Sequence, residues 1–158
     1  MAAFHEMLES LLEQDAYVID LLPERVPADA DGQYFDVEKY WRESRLHQET
    51  ADRFLRVFLK TMCYYHTVVL RDDGPGSPDA EWVDRPDPAW VDTAITELTE
   101  KGVGRLNALF PEENALLVFD ADDLYLTVYA PPVYMKRLLE GAAMGEGLFW
   151  RESALGSI

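Results

Sequence analysis

Cys63-Tyr64-Tyr65-His66 is the one place where a thiol and an imidazole lie close together in this chain. On a continuous helix, residues three apart share a face, which makes such a pair a Cys–His nucleophile or half of a metal site. The stretch Tyr65-His66-Thr67-Val68-Val69-Leu70 is short and β-branched, however, and predicts a buried strand. A strand beginning near Tyr65 breaks the shared face. Neither a third ligand nor an orienting acid can be assigned, so the packed end of a helix is the simpler reading.

Two acidic stretches have partial cation-site character. From Pro27 to Glu38, the residues Asp29, Asp31, Gly32 and Glu38 match the third, fifth, sixth and twelfth positions of a calcium loop. Tyr34 fills the apolar eighth position, but the first is Pro27, which has no carboxylate, and clear flanking helices are missing. An acidic turn accounts for the match. Asp120, Asp122 and Asp123 are paired carboxylates that could hold a divalent cation, and equally the residues of a hairpin turn. The glycines of Gly102-Val103-Gly104 and Gly141 to Gly147 follow predicted helices, whereas a dinucleotide loop follows a strand and opens a helix. No G-x-S-x-G or H-E-x-x-H occurs, and His5, His47 and His66 are scattered. No metal centre, no cofactor and no catalytic residue is expected.

Charge is the strongest feature. The 158 residues hold 30 acids against 14 Lys and Arg, a net charge of −16. Residues 1–44 carry 11 acids and 3 bases, and residues 72–100 carry 9 acids and 1 base. Between them, residues 45–71 reverse the balance, with 2 acids and 5 bases. Arg53, Arg56 and Lys60 therefore form a basic stripe inside an acidic protein. The plain reading is that this stripe offsets neighbouring acids. The sharper one is an anion site, because arginine pairs carboxylate or phosphate through two parallel hydrogen bonds.

Glu6, Glu9 and Glu13 line one face of an amphipathic segment, so carboxylates recur about every 4.5–6 Å along it. Such a face suits a basic groove on another protein. Asp79 and Glu81 flank Trp82 in a similar way, and an aromatic ringed by charge suits a protein interface. The competing reading is a solvated helix, and a tryptophan that pins its loop to the core.

Composition excludes several classes. Only four lysines are present, and an acidic surface repels a duplex, so direct nucleic-acid binding is not expected. The single Cys63 excludes an intrachain disulfide and any zinc site of several thiolates. The longest purely apolar run, Ala115–Phe119, is far short of the roughly 20 residues that cross a bilayer. No basic, apolar leader opens the sequence, so a cytoplasmic location is expected.

The elements that must position these residues follow from periodicity. Residues 3–14 predict a helix with Phe4, Met7, Leu8, Leu11 and Leu12 on one face. Residues 17–22 fit strand or helix equally, and Tyr34–Trp41 packs on the core in either conformation. Residues 46–63 predict a helix with a Phe54/Leu55/Phe58/Met62 stripe. The Gly- and Pro-rich stretch 72–88 reads as a loop, after which Asp87 caps a helix running to Lys101 and stopped by Gly102. Ala115–Phe119 and Leu124–Tyr129 predict a hairpin, Pro131-Pro132 opens a last helix to about Met144, and Leu148–Trp150 adds an edge strand. The expected fold is a single acidic α+β domain over residues 1–158, a small, largely antiparallel sheet covered by about four helices. The expected function is a non-catalytic interaction module for a basic protein partner. The alternative is a small carboxylate- or metal-dependent hydrolase, or an anionic-ligand-binding protein. Oligomeric state is left open.

Overall fold

The computed structural model describes residues 2–153, over which five helices and seven strands alternate irregularly. In chain order these are α1 (Ala2–Leu11), β1 (Ala16–Asp20), α2 (Tyr34–Glu43), α3 (Leu46–Met62), β2 (Val68–Asp72) and β3 (Trp82–Asp84). Then follow α4 (Pro88–Lys101), β4 (Arg105–Phe110), β5 (Ala115–Asp120), β6 (Tyr125–Tyr129), α5 (Val133–Gly145) and β7 (Phe149–Ser153). All strands join one sheet, in the order β3-β2-β4-β5-β6-β1-β7, and every neighbouring pair is antiparallel. The fold is thus α+β with an antiparallel sheet. The sheet is larger than the small one expected, and five helices stand where about four were expected.

Alternation along the strands divides the core into two layers. Leu106, Ala108 and Phe110 of β4, with Leu117 and Phe119 of β5, face α3, α4 and α5. Leu109 of β4, with Leu116 and Val118 of β5, faces α1 through Leu8 and Leu11. Strand β5 is therefore covered on both sides, which is why Ala115–Phe119 reads as an unbroken apolar run.

Local chemistry sets the element ends. The Asp87 side chain accepts a hydrogen bond from the Ala89 amide at 2.8 Å, with Pro88 at the first helical position of α4. Gly102 closes α4 in the left-handed conformation, at φ +71°. Gly104 has φ +104°, and a Cβ there would lie 2.6 Å from the Asp72 carbonyl oxygen, so only glycine lets β4 enter beside the end of β2.

Two segments that fit either conformation are resolved by the tertiary structure, and a third departs from the loop expected. The open choice over 17–22 resolves as strand β1, because Ala16–Asp20 pairs β6 on one edge and β7 on the other. The aromatic stretch from Tyr34 is helix α2, and instead of packing on the core it leaves Phe35, Val37 and Tyr40 exposed. The 72–88 loop contains the short strand β3, which pairs β2 through Val69↔Val83. No described helix is long and apolar enough to cross a membrane.

Candidate functional site

The two predicted acidic segments meet. Trp82 of β3 is 8% exposed and packs with Leu8 and Leu11 in the core layer beneath α1. Its ring lies 5.7 Å from that of Phe4 and 6.2 Å, edge-on, from that of His5. This contact holds the start of α1 against the segment bearing Asp79 and Glu81. Glu6, Glu9, Glu13, Asp79 and Glu81 are all exposed. Among the described residues, none of the five has a cation within ion-pair distance. Trp82 itself lies in the core, where it seats the acidic segment.

The basic stripe of α3 is largely engaged. Lys60 donates to Glu146 at 2.6 Å, and the Arg56 guanidinium donates to the other oxygen of the same carboxylate. Burial alone would raise the Glu146 pKa, but the hydrogen bonds from Lys60 and Arg56 outweigh it and hold the pKa below the ordinary range. Glu146 follows α5, so this trio clamps α5 to α3. An anion at Arg56 and Lys60 would have to displace Glu146. Arg53 instead pairs Glu49 at 3.2 Å, one helical turn away.

A cleft of about 730 Å³ opens where the ends of β1 and β5 meet α2 and α3. Leu22, Val37, Trp41 and Leu124 give it an apolar lining, and its wall also carries Glu38, Arg42, Arg53, Asp122 and Asp123. The Trp41 indole donates to Thr50 Oγ1 at 2.7 Å, fixing α2 to α3 at the cleft. Tyr34 donates to Glu38 at 2.7 Å, and that bond raises the Tyr34 pKa. In the β5–β6 turn, Asp120 accepts from the Asp122 amide at 3.0 Å and pairs Arg105 at 3.3 Å. Leu124 adopts φ +52°, unusual for a branched residue, while its side chain is buried in the core. That turn presents Asp122 and Asp123 at the surface. Burial, followed by the charges of Asp122 and Asp120, pushes the Asp123 carboxyl upward.

The other sequence candidates separate. Helix α3 ends at Met62, and the exposed Cys63 points its Sγ at the Leu59 carbonyl, 3.5 Å away. His66 Nε2 lies 2.5 Å from Asp84, and Nδ1 lies 4.0 Å from Glu112. The two carboxylates thus flank opposite ring nitrogens, and the Asp84 contact joins the imidazole to edge strand β3, while Glu112 lies beyond hydrogen-bond distance. The calcium-loop reading fails on geometry, because helix α2 begins at Tyr34, inside the stretch that would have to wrap the ion. Among the described residues, no three His, Cys, Asp or Glu side chains are grouped so as to hold a metal ion.

Glu38, Trp41 and Arg42 reach the cleft without a motif to announce them. The only trace of Glu38 and Trp41 in sequence is the aromatic-rich, charged stretch Tyr34–Trp41, and Arg42 lies just beyond it. Comparison of the chain with protein-family models, with curated proteins and with solved structures finds no match.

Proposed function

We propose that this protein is a non-catalytic acidic module that binds a protein partner through a basic surface. One observation carries the reading: two acidic segments far apart in sequence are seated together by Trp82, and among the described residues their five carboxylates have no cation within ion-pair distance. A net charge of −16 adds long-range attraction, which steers a basic partner and raises its on-rate. The proposed contacts are Glu6, Glu9, Glu13, Asp79 and Glu81, with Trp82 as their support. The cytoplasm is the proposed location, with neither nucleic acid nor membrane as a direct partner.

The test is affinity capture from a lysate of the source organism at low and high salt, with the native chain and a variant carrying Lys at the five acidic positions. A basic protein held by the native chain, released by salt and missed by the variant is the expected result. Equal retention by both chains overturns the assignment.

A second reading, a hydrolase or ligand-binding protein, draws on Arg53, Asp122 and Asp123 lining the same cleft. Arg56 and Lys60, engaged by Glu146, are not part of that convergence.

A further inference from the structure

The charges around the cleft do not balance locally. Asp20 is paired with Arg151, and Arg53 with Glu49. Glu38 is paired with Arg42 at 3.7 Å and also accepts from Tyr34. Once these pairs are made, Asp122 and Asp123 have no cation within ion-pair distance among the described residues. They stand at the rim of a cavity lined by Leu22, Trp41 and Leu124, with Tyr34 and Tyr125 also in its wall. A volume of about 730 Å³ lies within the range of small-molecule sites. Aromatic rings attract cations through their faces, and apolar walls favour a ligand with a hydrocarbon body. An anion would meet the two unmatched carboxylates, and an inorganic cation would leave the apolar wall unused.

We propose that this cleft binds a small organic cation, an ammonium group carried on an aromatic or aliphatic body, with Asp122 and Asp123 meeting the charge and Trp41 and Leu124 the body. The site is separate from the acidic face of α1 and shares no residue with it. Burial first, then the charges of Asp122 and Asp120, raise the Asp123 carboxyl, and the more distant Arg42 offsets this only in part. A bound cation supplies further compensation, so affinity falls as the pH drops and Asp123 takes up a proton.

The test uses the full chain, labelled with ¹⁵N, and four probes. 2-Phenylethylamine and tryptamine carry the cation, 2-phenylethanol is the neutral control and 3-phenylpropionate the anionic one. Titrations followed by amide chemical shifts are expected to move Leu22, Trp41 and Leu124 with the amines only. An Asp122→Asn/Asp123→Asn variant, whose changes are at exposed positions, is expected to weaken amine binding about tenfold. Arg42→Gln removes a positive charge from the wall and is expected to tighten it, a sign that mere structural damage does not produce. No shift with either amine overturns the proposal, as does equal binding of amine and alcohol, or preference for the carboxylate. Because the five-lysine variant of the α1 face leaves the cleft intact, its amine binding is expected to match the native chain whatever becomes of the partner reading.

Discussion

Replacing Glu146 by Gln tests how the acidic chain uses its basic helix. The carboxylate is only 10% exposed and accepts from Arg56 and Lys60, which are 50% and 48% exposed. Two charge-assisted contacts in a dry interior would be worth several kcal/mol, but half-exposed cations are screened by water. Allowing about 0.5–1 kcal/mol for each contact gives a loss of about 1–2 kcal/mol at neutral pH. For a chain of this length, that lowers Tm by about 2–8 °C. The pH dependence has a definite sign. The folded Glu146 pKa is depressed, so its stabilisation is complete above the ordinary glutamate range and disappears as the pH falls through the folded value. Calorimetric melts of the two chains should therefore differ most at pH 7 and converge in acid, at a pH below the ordinary glutamate range. The variant also leaves two cations on α3 without their carboxylate, so phosphate should raise its Tm more than that of the native chain. Equal melting of the two chains at pH 7, or a gap that persists unchanged into acid, would refute the clamp between α3 and α5.

Two further outcomes follow from the geometry, each read by urea unfolding. Gly104→Ala forces a left-handed backbone on alanine and brings its Cβ to 2.6 Å from the Asp72 carbonyl, so a loss above about 2 kcal/mol is expected; Gly141→Ala, in open space on α5, should be neutral or stabilising by up to about 1 kcal/mol. Trp82→Ala opens the layer beneath α1 and should cost about 3–5 kcal/mol, while Trp82→Phe should keep both the fold and the proposed partner binding. Strong loss of partner binding in a well-folded Trp82→Phe chain would assign the indole to the interface instead.

The sequence by itself determined what local physics can write. Helical periodicity marked α1, α3 and α4, because each must turn one apolar stripe to a core. Asp87, Pro88 and Gly102 marked the ends of α4, because capping depends on neighbours within one turn. The β5–β6 hairpin was legible from two apolar runs joined by an Asp-rich turn. The acidic character of the surface was legible too, since charge is additive along the chain.

Tertiary structure decided what depends on residues distant in sequence. Strand β4 has Asn107 in the middle of its apolar run, and it becomes a central strand because β2 and β5 flank it; the Asn107 amide donates to the Leu70 carbonyl at 3.3 Å. Strand β1 is a strand because two others claim its edges, since 17–22 suits either conformation. The fate of the basic stripe was decided by Glu146, which lies 86 residues beyond Lys60. Only folding could bring Phe4 to Trp82, and so one acidic segment to the other. The cleft is the clearest case: α2, α3 and the β5–β6 turn share no common motif, and their side chains meet only because α2 packs on α3 beside that turn.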